Sequence, residues 1–294
     1  MEPELDRLLV GEDPQNVVEE GNEQAMEEEQ QEGNIRHNPR MQLSEEERQH
    51  ALAIKQAIEE DPDLDNLSDF QYVQFALVDQ HDVEAAMHRA YHLQAFLKEE
   101  YKIRHDDIDY AMASVQTFIR QHSGVILSLA YNADEETYVL IYDLATFDQK
   151  RLQTPEDWRM FMSFVYFELT ALNPDFYAIR KGVVFVCECE GFDWKNCDMK
   201  VQEKAWTELI NVYPIEFRQI KYFHTGVFAN LSASLMKPFL PKHIHSKFSV
   251  GNEFDGRLDT LYLVPTLEAA NKRNLERFRV CLQQRFENER LFRL

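Results

Sequence analysis

Apolar positions recur at helical spacing through the first folded stretch of the chain and then give way to short β-prone runs alternating with helices. Ser44 and Glu47 form a capping-box pair, and Leu52, Ala57 and Ile58 follow as a helical stripe. A second helix follows Asp69, and Asp82 caps a third carrying Val83, Ala86, Met87, Ala90, Tyr91 and Leu97 on one face. Asp106 or Asp107 opens a fourth, with Ile108, Ala111, Met112, Val115, Phe118 and Ile119 at helical spacing. The period then shortens: 125–131 and 138–144 read as strands joined by a polar turn, a hairpin. Thr154-Pro155-Glu156-Asp157 starts another helix, with Trp158, Phe161, Met162, Val165 and Leu169 as its buried face. A strand covered on both sides at 182–189, a helix at 205–212 and a strand at 219–224 then imply parallel crossovers. An apolar helix at 227–236, a short strand at 247–251 and an amphipathic helix around Leu275, Phe278 and Leu282 complete the chain.

This order predicts an α/β fold: an open, mostly parallel sheet flanked by helices, preceded by a helical module. The expected divisions are a disordered acidic tail over 1–42, the helical module over 43–103, the sheet domain over 104–258 and a C-terminal amphipathic helix over 259–294. Residues 1–33 are rich in Glu, Gln, Asn and Gly and nearly lack aromatics, so they cannot repay the entropy of ordering.

Composition narrows the function. With 44% hydrophobic residues, including 20 Phe and 12 Tyr, the chain can build one sizeable core. A net charge of -21 disfavours nucleic acid as the main partner. The four cysteines are too few and too clustered for a disulfide framework and read as free thiols of a reducing, cytoplasmic setting. The most apolar window, 161–172, carries Glu168 and stops at Asn173-Pro174, short of the ~20 residues that span a bilayer.

Catalytic and metal motifs are missing. No nucleophile elbow, Walker A loop, dinucleotide turn or H-E-x-x-H occurs, so the expectation is a non-enzyme without cofactor. Glu188 and Glu190 could in principle work as an acid pair, but no partner base is visible. Asp61-Pro62-Asp63-Leu64-Asp65 begins like a calcium loop, yet Asn66 and Tyr72 occupy the positions of the required Gly and Glu, and a solvated turn is the better reading. Cys187 with Cys189, and His243 with His245, lack the further ligands a metal site needs.

The most specific signal lies between Tyr213 and Gly251. Tyr213-Pro214, His224-Thr225-Gly226-Val227-Phe228, Leu235-Met236-Lys237-Pro238-Phe239-Leu240 and Ser246-Lys247-Phe248-Ser249-Val250-Gly251 resemble the ordered signature of CRAL-TRIO domains. The run Gly182 to Gly191, with Glu188-Cys189-Glu190-Gly191, is similar to the family strand ending Asp-Leu-Glu-Gly, and 72–98 is similar to its N-terminal helices. The resemblance implies an apolar cavity floored by the sheet and closed by a gate helix, acting as a non-catalytic carrier that binds a hydrophobic lipid and transfers it between membranes during transient contact with a membrane surface. An alternative is a protein-interaction module on the same fold with a filled or vestigial cavity.

Candidate ligand-lining residues are Ile141, Val184, Val186, Tyr222, Phe228, Leu231 and Leu235, and candidate gate or membrane-facing residues are Lys237, Phe239, Lys242, His245 and Lys247. His243 adds to this basic edge. Three positions depart from the phosphatidylinositol-transfer pattern: Asp79-Gln80 stand for an Arg-Lys pair, and Ile215 for an acid, with Glu216 one place late. Lys247 keeps its matching position.

Overall fold

A computed structural model describes residues 38–79, 82–122, 129–132, 136–143, 148–191, 198–223, 242–251 and 267–294. Order begins earlier than the expected boundary at 43. Asn38 caps a single turn at Pro39–Met41, Met41 is buried, and Arg40 pairs with Asp175 at 2.5 Å while lying over the Tyr177 ring. The rest of the expected acidic tail, 1–37, lies outside the described residues.

The helical module contains α1 (Glu45–Glu59), α2 (Asp69–Val78) and α3 (Val83–Ala95). The Ser44/Glu47 capping box forms as its sequence indicates, and Ser68 with Gln71 makes a second one on α2. Two stripe residues face the other way. Leu52 is 40% exposed and Tyr91 55% exposed, because the buried faces are Ala51, Ile54 and Ile58 on α1 and Ala86, Ala90 and Leu93 on α3. Each misplaced residue follows a true core position by one, a rotation of about 100° around the helix. The calcium-like turn is knitted locally: Asp61 accepts from the Asp63 amide, Asp65 pairs with Lys98, and Gln94 bonds both the amide and the carbonyl of Asp65.

Helix α4 (Ile108–Gln121) leads to the hairpin of β1 (Leu129–Asn132) and β2 (Thr137–Asp143), which pair antiparallel. Then come α5 (Pro155–Ala171), α6 (Phe176–Lys181), β3 (Val183–Glu188), α7 (Met199–Val212), β4 (Phe217–Phe223), α8 (Lys242–His245), β5 (Phe248–Gly251) and α9 (Leu267–Leu291). The strands lie in the order β1-β2-β3-β4-β5, with β2 to β5 parallel. Gly182 joins α6 to β3 at φ +74, and a Cβ there would stand 2.9 Å from the Glu216 carbonyl oxygen, so the tight approach of β3 to the start of β4 needs glycine.

The main core lies between one sheet face and the helices. Helix α5 is buried far beyond the single face expected of it, since Phe164, Tyr166 and Phe167 are covered as well as Trp158, Phe161 and Leu169. It sits against α4 and α9, with its remaining face in the same core cluster as the sheet. Its first turn is tied to the module, because the Trp158 indole donates to the Tyr101 hydroxyl at 2.8 Å and Tyr101 donates to Glu208 of α7 at 2.6 Å.

The C-terminal helix packs into the core along the apolar stripe that its sequence indicates. Phe278, Cys281 and Leu282 are buried, and Arg285 is buried with them. Its guanidinium donates to Glu289, to the Asn173 carbonyl at 3.1 Å and to the Gln74 side-chain oxygen at 2.7 Å, and lies 3.9 Å from the Phe70 ring centroid. One charge thus joins α2, the α5–α6 corner and α9. Arg285→Met should lower the free energy of unfolding in urea by about 3 kcal/mol, because it strands a carboxylate and two buried acceptors.

A second clamp carries a pH signature. Arg180 of α6 donates to both Glu47 oxygens, at 2.6 and 2.8 Å, and to the Gln42 carbonyl. Burial pushes the Glu47 carboxyl up, but Arg180 and the Ser44 cap together outweigh it and hold the group below its ordinary 4.5. A depressed folded value stabilises above the unfolded value and is lost as pH falls through the folded one. The urea midpoint of the protein should therefore exceed that of Glu47→Gln at neutral pH and converge on it as pH drops below 4.5.

Candidate functional site

Strand register decides which side chains can meet a ligand. Across the parallel strands one face carries the row Leu140, Phe185, Ile220 and Phe248, and next to it the row Tyr142, Cys187, Tyr222 and Val250. This face is apolar over four strands and rich in aromatic rings, with Tyr142 and Phe185 at 6.1 Å and Tyr222 and Phe248 at 5.2 Å between centroids. It belongs to the main core, yet Tyr142, Phe185 and Phe248 are only partly buried, and Val250 is 42% exposed.

The opposite face has a different character. Val139 and Val184 continue into Gln219, and Ile141 and Val186 continue into Lys221 and Ser249. Its apolar patch of Ala130, Val139, Ile141, Val184 and Val186 is fully closed and stops at β4; among the described residues only Phe223 also packs on it.

The expected lining residues therefore do not converge. Ile141, Val184 and Val186 share the closed face, whereas Tyr222 stands on the aromatic one. The physical reason is the two-residue period of a strand: apolar residues on both faces of a doubly covered strand give no clue to facing, and neighbours one place apart lie on opposite sides. Phe228, Leu231 and Leu235 lie outside the described residues, as do Lys237 and Phe239 and the side chains of Lys242 and His243. The connection from β4 to β5 ends on the aromatic face, because Ile244 of α8 is buried in the main core and the Ile244 carbonyl accepts from the Lys247 amide.

Lys247 is not a spare cation. It forms an ion pair with Glu216 at the start of β4, so the acid one place late in the Tyr-Pro segment still reaches the lysine. His245 is partly buried beside it. Asp79, standing where the resemblance would place a base, is itself buried and held by Arg89 at 2.8 Å, and Arg89 also donates to the Tyr213 carbonyl. Gln80 lies outside the described residues.

Glu188 and Glu190 do not form an acid pair facing a cleft; Glu188 accepts from the Glu190 amide at 2.9 Å in the turn after β3. Burial, and then the neighbouring Cys189, push the Cys187 thiol well above its ordinary range, which leaves it an inert thiol on the aromatic face. Cys187, Cys189 and Cys281 are free and buried, and Cys197 lies outside the described residues. Among the described residues no three His, Cys, Asp or Glu side chains gather as a metal site, and no helix is long and apolar enough to cross a membrane.

One polar residue of this region was visible in the sequence only as an acid inside an apolar window. Glu168 of α5 is 2% exposed, and burial first, then Glu168, push the Tyr142 phenol above its ordinary range.

The two faces should respond differently to truncation. Val184→Ala, on the closed face, should cost about 2–3 kcal/mol, whereas Phe185→Leu, on the partly open one, should cost under about 1.5 kcal/mol. Urea denaturation of the two variants checks this.

A family model described as CRAL/TRIO domain matches residues 103–262, more than half of the 294-residue chain. Among solved structures, the crystal structure of Sfh5 is similar, with a TM-score of 0.50 and 13% identity over 71% of this chain and 82% of that one. At that identity the likeness concerns the fold alone. No curated protein matches the sequence.

Proposed function

Because the chain belongs to the CRAL/TRIO domain family, we propose that it is a non-catalytic carrier that holds an apolar, lipid-like molecule against the aromatic face of its sheet. Domains of this family are commonly lipid-binding or transfer modules. The observation that carries the reading is the asymmetry between the two faces. The aromatic face stays apolar from β2 to β5 and keeps Phe185 and Phe248 partly open, while the other is closed and turns polar at Gln219 and Lys221.

Of the lining residues read from the sequence, Tyr222 keeps its place in this proposal, and Tyr142, Phe185 and Phe248 join it. Ile141, Val184 and Val186 stand on the reverse face. The energetic need for a carrier is large: an acyl chain of ~16 carbons at ~0.8 kcal/mol per CH₂ loses on the order of 13 kcal/mol when it enters water. Exchange of the cargo at a membrane surface belongs to the same proposal. Lys247 contributes little charge to such a contact, since Glu216 answers it.

Native mass spectrometry of the purified protein should find a stoichiometric small apolar molecule, recovered intact by organic solvent. A clean apo mass with no uptake from lipid extract would instead support a protein-interaction module. Phe185→Trp should fold and yet take up roughly tenfold less lipid, because the larger ring occupies space on the open side. Val186→Ile on the closed face should leave uptake unchanged.

A further inference from the structure

We propose that the cleft at the N-terminal end of α5 is a docking surface for an acidic stretch of this same chain, residues 25–32, held by ion pairs across a cationic rim. The cleft has a volume of about 750 Å³ and lies between the turn after α3 and the first turns of α5 and α7. Its floor is apolar: Tyr101 and Trp158 are buried, and Leu152 and Val201 pack against the same core. Four cations stand around it, Lys102, Arg159, Lys200 and Lys204, against two acids, Glu100 and Glu156. In a chain of net charge -21, a concavity with an excess of cations selects an anionic occupant. The cleft shares no residue with the aromatic face of the sheet, so the inference stands apart from the carrier reading.

The cations are only partly answered. Arg159 pairs with Glu156 at 2.6 Å, and Lys204 reaches Glu208 at 3.6 Å while lying 4.3 Å from the Trp158 ring centroid. Lys102 and Lys200 are exposed and form no ion pair among the described residues. Lys200 and Lys204 are one helical turn apart, so α7 presents both along one edge of the cleft. The amides at the start of α5 add nothing to the attraction, because Thr154 and Asp157 already cap them. Cations spread over three segments of the chain suit a row of carboxylates better than one compact anion such as phosphate.

Charge and reach identify the occupant. Residues 1–37, outside the described residues, hold twelve acids against Arg7 and Arg36, a net charge of -10. Glu27, Glu28, Glu29 and Glu32 are the densest group, and Ala25 and Met26 beside them match the apolar floor. The described chain begins at Asn38, and Arg40 fastens it to Asp175 just beyond the C-terminal end of α5. The cleft is at the other end of that helix, which has 17 residues and is about 25 Å long. Glu27 is eleven residues from Asn38, and an extended chain of that length spans up to about 36 Å. The acids therefore reach the cleft, and the tether holds them near it at an effective concentration on the order of millimolar. Weak, exposed, salt-screened ion pairs suffice at that concentration.

The test uses the full chain and reads, by peptide mass spectrometry, how fast each lysine is acetylated by a water-soluble succinimidyl ester. In the variant Glu27→Gln, Glu28→Gln, Glu29→Gln, Glu32→Gln, whose changes touch none of the described residues, Lys102 and Lys200 should react about threefold faster than in the parent at low salt. Lys272, exposed on α9, should react equally in both, and about 0.5 M NaCl should bring the parent up to the variant. Carbodiimide, which joins a carboxylate to an amine in contact with it, should link residues 27–32 to Lys102, Lys200 or Lys204 within the monomer. Equal acetylation of Lys102 and Lys200 in parent and variant at low salt overturns the proposal. Linkage mainly to Lys181 overturns it too, since Lys181 and Arg40 lie over the same Tyr177 ring and a link there reports the tether alone. Linkage found only in covalent dimers overturns the intramolecular contact and makes the occupant a second copy of the chain.

Discussion

Parallel pairing from β2 to β5, each strand added on the same edge, is the constraint from which the rest of this molecule follows. A right-handed crossover repeated in one direction returns over the same face each time. Helices α5 and α6 between β2 and β3, α7 between β3 and β4, and Ile244 before β5 all contribute to the core on the aromatic side. Among the described residues these elements pack on that side, and the other side carries a small buried patch of valine, isoleucine and alanine.

The consequence reaches helix α5. A helix packed on a sheet ordinarily buries one stripe, but here α4 and α9 close over the outer side, so nearly the whole circumference is covered. A surface of that kind has no place for a charge, which is why Glu168 is conspicuous. The same crowding explains Arg285. A buried guanidinium is tolerable only when its donors are filled, and Gln74, Asn173 and Glu289 fill them from three separate parts of the chain.

Charge elsewhere is handled locally. Glu47 with Arg180 and Asp175 with Arg40 fasten the start of the ordered chain to α6, and Lys247 with Glu216 fastens the approach to β5 onto β4. None of these pairs is close in sequence, and each removes a charge that would otherwise look available to a ligand. The basic edge inferred around Lys247 is reduced in this way, while the departure at Asp79 is explained by its pairing with Arg89.

Much of the architecture was legible because it is written in local chemistry. Capping boxes at Ser44 and Thr154, the hairpin before Asp143 and the alternation of strands with helices all depend on residues a few positions apart, and they form where the sequence places them. The family, too, could be recognised from ordered short segments. What the sequence could not decide was facing. Ile141 and Tyr142, or Val186 and Cys187, are equally apolar neighbours, and only pairing with strands far along the chain assigns one to the closed face and the other to the aromatic one. Tyr91 and Leu52 err by one helical position for the same reason. The setting of Glu168 is likewise a tertiary fact: a single acid among phenylalanines says nothing until the packing around it leaves its Oε2 without a partner among the described residues.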